Sequence, residues 1–512
     1  MKSTNIYLKV AAFVVTLFAA SSCHDLLDEA PENTSFAGET DYTATNNMIL
    51  PLIGAYAEFQ SRGWEDFPLI SVRGDDVNAG GLGDQQEFFE TDQFNYSNKE
   101  YWMYNSVWQN LYSDIYTCHV AIEQIELYKE YAANTALADQ YIAEAKTLRA
   151  FLLFQLSRVW SDIYIPESSD LSELLVSEVA TRDQVMQHIS AQMAEAAPLL
   201  PALRPNERTD IPGGVTRYTA LAIKALADLE LKNYQGVADA TSAIIESNKF
   251  TLYPDFYNLF KVPGKLSDES LLELQYSDFG QGSGTNFSYL FAFFGPENWT
   301  PAVVGAGSGW GFFEPSLKYI KFMIDRNETV RLETSVIFTD RGITELQSDP
   351  EYATLPGWIS NTTRDGDRFN DFNRAMFSSG KHYLPSNQLT TGRTDYGTNK
   401  NMISIRYAEI LLMHAEALTS GATGGGMTAD QAVNAVRARA GLSNLSNVTL
   451  DQVMDEKFAE MAMEWGTRYY DMIRLGRYDD LSYDGRTFNE SLIYLPYPQL
   501  QVDQLPALGE IR

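Results

Sequence analysis

Arg217–Lys232 (RYTALAIKALADLELK), Asn233–Gly236 (NYQG) and Val237–Ser247 (VADATSAIIES) follow one another without a break. They read as two helices joined by a tight turn. Apolar residues recur at helical spacing on both sides of the turn. Ala222, Ala225, Ala238, Ala240 and Ala243 are small enough to let the two helices approach closely. The same texture extends outward from this hairpin. Met48–Phe59 has apolar residues at helical spacing and stops near Gly63, and Tyr101–Tyr131 places Val107, Leu111, Ile115, Ala121, Ile122 and Ile125 on one broad stripe. Leu137–Trp160 repeats the pattern through Tyr141, Ala145, Leu148, Leu152 and Leu156, and Ile405–Ser420 and Thr428–Ala440 supply further helices. Such stripes describe amphipathic helices packed against each other. Three starts share one local device: Thr181 with Gln184, Thr428 with Gln431 and Thr449 with Gln452. In this capping box the threonine hydroxyl accepts from an early helix N–H, and the glutamine reaches back to the cap N–H. An Asp in each first turn suits the helix dipole.

The Arg217–Ser247 hairpin resembles a tetratricopeptide unit, whose helix pairs stack to bury a shared face. Between about 250 and 400 the texture changes. Gly280–Gly284 and Gly305–Gly309 are glycine-rich, and Asn, Asp, Pro and Thr interrupt the periodicity. Only short strand-like runs survive, such as Ser270–Gln275 and Ser335–Phe338. A long irregular region of this kind is usually functional or disordered. Tyr289, Phe291, Phe293, Phe294, Trp299, Trp310, Phe312 and Phe313 argue against disorder. The expected fold class is mainly α: a TPR-like helical-hairpin scaffold with a large irregular, loop-rich insertion carrying short strands. Helices of the scaffold are expected at about 48–250 and 400–480, in a single body over 48–512.

The 512 residues carry 68 Asp+Glu against 38 Lys+Arg, a net charge of -30. Such a field repels phosphate backbones, so nucleic acid is excluded as a natural partner. Two cysteines, Cys23 and Cys118, are too few for a disulfide framework or a multi-thiolate metal site. Lys2 and Lys9, the apolar run Val10–Phe18 and the small residues Ala19–Ser22 form a secretory signal peptide over 1–22. Cys23 directly after them resembles a bacterial lipobox, with Ala20 where Leu is commonest. The thiol of Cys23 is then the lipidation site, and residues 23–47 form a lipidated N-terminal tether that begins with an acidic run. Cleavage removes both lysines and takes the mature charge to -32, so anchoring rests on acyl chains alone. Cys118, within Val107–Val120, reads as a buried small hydrophobe.

Catalytic constellations are not evident. His24, His119, His188, His382 and His414 have no metal-site spacing, and His414 reads as a satisfied core histidine. The glycine runs form neither a phosphate loop nor a dinucleotide fingerprint, and Ser308 lacks the glycines of a nucleophile elbow. Asp365, Asp367, Asn370 and Asp371 offer oxygens to a structural calcium ion, but Phe369 breaks the EF-hand pattern. No cofactor is expected. Carboxylates are plentiful enough that a glycosidase pair stays open on inspection.

Several stretches together resemble the SusD/RagB family of Bacteroidetes surface lipoproteins. Cys23–Pro31, Trp108–Tyr112, and Ala145–Phe151 with Trp160–Pro166 match its N-terminal half. Ile405–Ala417, Val433–Gly441 and Glu464–Arg474 match its C-terminal third. Glu456-Lys457 stands where the family usually has Glu-Arg, and Trp465 is inserted into a Glu-Gly pair; both read as helix-packing positions. The resemblance implies four TPR-like hairpins as scaffold and an irregular half that carries the ligand site. It implies a cell-surface, outer-membrane lipoprotein that captures glycan and delivers it to a TonB-dependent, SusC-like transporter as its lid, without being an enzyme. A RagB-like peptide binder and, less favoured, a surface glycosidase are the alternatives.

Sugars present apolar C–H faces and hydroxyl edges, so a glycan site needs aromatic platforms and polar side chains. Trp299 and Trp310, in glycine-rich loops where helix packing does not explain them, are the first candidates, with Tyr289 in the same region. The family's site also draws on the loop after its first helix, here Arg73–Phe89, where Asp75, Asp76, Asn78, Gln85 and Gln86 could meet hydroxyls. Tyr101 and Trp102 lie just ahead of a core helix and could complete a platform. Trp108, Trp160 and Trp465 sit on helix faces and are assigned to the core. The charge of -30 favours a neutral oligo- or polysaccharide over an acidic polymer, unless a local basic pocket overrides it.

Overall fold

The computed structural model describes residues 40–79, 85–170, 172–173, 178–281, 293, 295–392 and 398–511. The signal peptide, Cys23, most of the tether and Tyr289 therefore lie outside the described residues.

A run of stacked helices forms the scaffold. Helix α1 is Ile49–Gln60, α2 Trp102–Lys129 and α3 Thr135–Trp160. They are followed by α4 (Arg182–Ala196), α5 (Arg217–Glu230) and α6 (Tyr234–Glu246). Each packs on its neighbour in order, from α1 on α2 to α5 on α6. In the quoted hairpin, Ala222, Ala225, Ala238 and Ala240 are buried at the α5–α6 contact, while Ala243 faces solvent and takes no part. Asn233 caps α6 by accepting from the Gly236 N–H at 3.2 Å.

The irregular half holds more helix than the sequence suggests. Helices α7 (Leu317–Asp325), α8 (Val330–Ser335) and α9 (Asp340–Ser348) interrupt it. They have six to nine residues, too few turns for a periodic stripe to stand out, and local caps define two of them. Ser316 accepts from the Tyr319 N–H at 3.0 Å and Thr339 from the Gly342 N–H at 3.1 Å. After this half come α10 (Tyr407–Thr419), α11 (Ala429–Arg439), α12 (Leu450–Met461) and α13 (Thr467–Leu475). Helix α10 packs on α6, so the helical stack resumes after an excursion of some 150 residues.

Four two-stranded antiparallel ladders organise the excursion among the described residues. Strand β1 (Val77–Ala79) pairs with β4 (Phe313–Pro315), and β2 (Ser270–Leu274) with β8 (Met402–Arg406). Strand β3 (Trp299–Thr300) pairs with β6 (Arg368–Phe369), and β5 (Val336–Phe338) with β7 (Phe377–Ser379). Three ladders join residues of the insertion to one another or to β1. The β2–β8 ladder closes the excursion at its base, with Ser270 opposite Arg406.

All three capping boxes form as the sequence indicates, at Thr181, Thr428 and Thr449. Trp108, Trp160 and Trp465 are in the core, at 2, 0 and 7% exposure. His414 is buried, with Thr241 Oγ1 2.9 Å from Nδ1 and the Met427 carbonyl 2.9 Å from Nε2. Cys118 is buried too, and burial pushes its thiol up to about 12. Among the described residues no helix is long and apolar enough to cross a membrane.

Glu456 and Lys457 are more than packing positions. Glu456 pairs with Arg331 at 2.7 Å, Arg326 at 2.7 Å and Arg437 at 3.0 Å, and Lys457 with Asp471 at 2.6 Å and Glu416 at 3.1 Å. They belong to a buried ionic network. Trp465 fills its place by packing edge-on against Phe67, with centroids 4.8 Å apart, and its indole N–H donates to the Ile403 carbonyl at 2.9 Å.

Candidate functional site

Helix α1 ends at Gln60, and the chain then passes close against α2. A side chain at Gly63 would stand 2.6 Å from Asn110 Nδ2 and 2.9 Å from the Glu65 carboxylate, so a larger residue would displace those side-chain ends. Trp64 follows and lands beside Trp102, the first residue of α2. Their ring centroids are 5.2 Å apart. Trp310 reaches the same place from the irregular half. Backbone bonds from Gly309 to Pro296 (2.6 Å), Gly311 to Gly295 (3.0 Å) and Phe312 to Phe293 (3.0 Å) hold its loop. Gly311 has φ +63°, and a side chain there would meet the Phe372 ring at 2.4 Å. Trp310 is edge-on to Trp64 at 6.1 Å and to Phe293 at 5.2 Å, while Phe293 stacks on Trp64 at 5.0 Å.

The result is an indole cluster with a dry floor. Phe293, Phe88 and Phe313 are fully buried beneath it, Trp64 and Trp310 are half-buried, and Trp102 is 41% exposed. The Arg374 guanidinium lies 4.1 Å from the Phe312 ring and donates to the Trp310 carbonyl at 3.1 Å, which fixes that loop from behind. Tyr101 precedes Trp102, half-buried and edge-on to Tyr104 at 5.7 Å. Burial, with Glu90 and Glu87 nearby, raises its hydroxyl pKa, so it stays a neutral donor. Two turns further along α2 the exposed Gln109 presents its amide, positioned by a 3.0 Å bond from Asn105, whose own oxygen accepts from Gln501 at 2.8 Å. Flat apolar surface with amides at its edge can stack a ring and bond its hydroxyls.

The structure thus brings Trp102 and Trp310 into one cluster and places Tyr101 at its margin. Trp299 lies elsewhere. It is half-buried on β3, edge-on to Phe369 at 5.9 Å and Tyr383 at 6.2 Å, in a separate group of rings with Tyr257. Trp358 borders a small pocket of about 40 Å³ with Tyr257 and Arg364. Trp64 and Trp358 were missed by sequence reasoning. Trp64 carried one usable signal, an aromatic directly after a helix-ending glycine.

The acidic part of the Arg73–Phe89 segment is corrected. Asp76 is 1% exposed and accepts from the Met463 N–H at 2.5 Å; burial raises its carboxyl to about 6. Asp75 is fully buried between Arg468 (2.7 Å) and Lys318 (2.6 Å). The Asn78 side-chain oxygen already accepts from Tyr483 and Arg486, each at 2.9 Å. These groups tie the N-terminal part to the C-terminal helices, and the two aspartates have no face left for a ligand's hydroxyls. Asn78 and Gln85 are half-buried and Gln86 is exposed.

Protein donors also occupy the carboxylates considered for calcium. Asp367 accepts from Tyr383, from Ser386 Oγ at 2.6 Å and from the Ala302 N–H at 2.8 Å; Asp365 accepts from Tyr257. Among the described residues no group of three or more His, Cys, Asp or Glu is placed to hold a metal ion.

A stack of helical hairpins interrupted by a ladder-tied insertion, with an indole cluster where insertion meets scaffold, defines the class of protein. Comparison with known proteins identifies the family. Residues 268–509 match the family model described as SusD family, and residues 26–226 match one described as "Starch-binding associating with outer membrane". The chain belongs to the SusD/RagB family. A SusD-like protein of Formosa agariphila is 26% identical over 90% of each chain. Among solved structures, surface glycan-binding protein A from Bacteroides thetaiotaomicron in complex with laminarihexaose is similar with TM-score 0.72 and 24% identity, over 90% of this chain and 98% of that one. A SusD homolog from the same organism is similar with TM-score 0.74 and 19% identity, over 93% and 99%.

Proposed function

We propose that this protein is a non-enzymatic surface lipoprotein of the outer membrane that captures a neutral oligo- or polysaccharide on the Trp102–Trp64–Trp310 face. It then passes the glycan to a TonB-dependent, SusC-like transporter. The observation that carries the reading is the exposed Trp102 ring on a packed aromatic floor, with the exposed amide of Gln109 on the same helix. A ligand meets a platform whose order is already established by packing, so little conformational entropy is lost on binding. Support comes from the glycan complex of the structural relative and from the starch-binding description of the N-terminal family model. Anchoring through Cys23 and delivery to the transporter follow from the lipobox and the family resemblance. Trp299 is a second stacking residue in this reading, on its own group of rings.

The test is retardation in gels containing laminarin or starch. Covering about 60 Å² of indole contributes about 1.5 kcal/mol, or roughly tenfold in affinity. Trp102→Ala is therefore expected to weaken binding about tenfold at a temperature where circular dichroism shows the variant folded. Unchanged retardation on each glycan would sink the site. Release of reducing ends would favour the glycosidase reading, and retention of peptides by the same face the RagB-like one.

A further inference from the structure

A cation-rich cavity of this acidic molecule lies on the helical scaffold. It has a volume of about 210 Å³, far more than one water needs, and opens where the end of α3, the start of α4, the end of α5 and α13 converge. Arg158, Arg182, Lys232 and Arg474 line it, against one lining carboxylate, Glu230.

The charges do not cancel. Arg474 is matched by Glu416 at 2.5 Å and Asp471 at 2.6 Å, carboxylates that also serve Lys457, so that set is neutral. Arg158, Arg182 and Lys232 remain. Glu230 is shared between Arg158, at 3.3 Å, and Arg182, with the solvent-exposed Asp183 also 3.3 Å from Arg182. The atom of Arg158 that meets Glu230 is Nε, buried and ion-paired but without hydrogen-bond geometry to any described residue, while its guanidinium lies 3.7 Å from the centre of the Tyr470 ring. Among the described residues Lys232 forms no ion pair. Its backbone has φ +57°, a left-handed conformation that favours glycine at a helix end. A lysine there complements the α5 dipole, but it also extends the positive wall of the cavity.

We propose that this cavity is a second ligand site, independent of the aromatic face, for a compact oxyanion: a carboxylate, sulfate or phosphate, free or carried by an acidic sugar. Guanidinium groups bind such oxygens through paired, charge-assisted hydrogen bonds. Arg182 and Arg158 would share the anion with Glu230's own field opposing it, and Lys232 supplies the unmatched charge. The reading does not depend on the proposed glycan face.

Sodium sulfate, inorganic phosphate and D-galacturonate are titrated into the full chain at fixed ionic strength, with D-galactose as neutral control, and binding is followed by calorimetry. Saturable binding of oxyanions but not of galactose is expected. Lys232→Gly should weaken it about tenfold, the usual effect of losing one charge-assisted contact. Its melting temperature should equal or exceed that of the unaltered protein, since glycine suits the left-handed backbone. Trp102→Ala should bind the oxyanions normally. Tighter binding of galacturonate than of the inorganic anions assigns the site to an acidic sugar, and binding of the inorganic anions alone assigns it to a free anion. The proposal is overturned if no oxyanion saturates, if Lys232→Gly binds like the unaltered protein, or if Trp102→Ala abolishes binding.

Discussion

Glu460, near the end of α12, has no solvent exposure and meets three guanidiniums: Arg406 at 2.6 Å, Arg331 at 3.3 Å and Arg439. Burial alone would raise its carboxyl, but Arg439, Arg406 and Arg331 outweigh it and hold the group at about 2. Arg406 also binds Glu464 at 2.7 Å and Glu269 at 3.0 Å, so one side chain anchors the β8–α10 junction to two other elements. Removing one anion from such a set strands buried cations, which costs about 3–5 kcal/mol. Glu460→Gln is expected to lower the urea midpoint accordingly, whereas a shift no larger than that of a surface substitution would show that the network relaxes. Residue identity was legible in the sequence here, and the partnership was not. Arg406 and Glu464 lie 58 positions apart, and nothing in local spacing announces that they touch. The same holds for Asp76, a plausible hydroxyl partner on paper whose oxygen is taken by a backbone N–H 387 positions away.

At the scale of elements, local signals read well where a helix has about three turns or more. The Thr449 cap of α12 accepts from the Gln452 N–H at 3.3 Å, and Gln452 Oε1 accepts in return from the Thr449 N–H at 3.0 Å. Thr449→Ala should cost about 1 kcal/mol, measurable as a lower urea midpoint; no change would mean that tertiary contacts alone hold the start of α12. Helices α7 to α9 escaped notice because a stripe needs repetition, and six to nine residues provide too little. The ladders had the same difficulty: β3 and β6 are two residues each and pair across some 70 positions. The candidate site follows the same rule. Trp102 could be placed from its helix start and Trp310 from its glycine-rich loop. Their meeting at Trp64 depends on the close passage at Gly63 and on the backbone bonds between 293–296 and 309–312, which are tertiary facts.

For the whole molecule, buried carboxylates set the response to pH. Burial raises Asp92 to about 7 despite Arg486, Glu314 to about 7 despite the Met376 and Phe377 N–H groups, and Glu409 to about 7 despite Lys457 and Arg158. These groups bind protons more tightly in the folded state. Their contribution is complete below an ordinary carboxyl pKa of about 4 and is lost as pH rises through about 7. Glu460 and Asp471, held at about 2 against their burial by arginine and lysine partners, act in the opposite sense. Their stability is present above about pH 4.5 and is lost as pH falls towards about 2. Buried His119, held down to about 3, and Lys400, held down to about 7 by burial, act against this loss, so the carboxylate effect is read as a difference: between about pH 5 and about pH 8 the unaltered protein is expected to lose stability relative to Glu314→Gln. Calorimetry that shows no such difference would contradict this assignment. A net charge of -30 adds self-repulsion in the same direction.

By itself the sequence determined the helical hairpins, their caps, the core tryptophans Trp108, Trp160 and Trp465, and the family. Each rests on short-range periodicity or on motifs that stay contiguous in the chain. Tertiary structure alone decided which aromatics share a face, which acidic residues are buried as ion-pair partners, and where the unmatched positive charge collects. Those outcomes depend on contacts between residues from tens to hundreds of positions apart, and the free energy of a side chain there is set by what surrounds it after folding rather than by its neighbours in the chain.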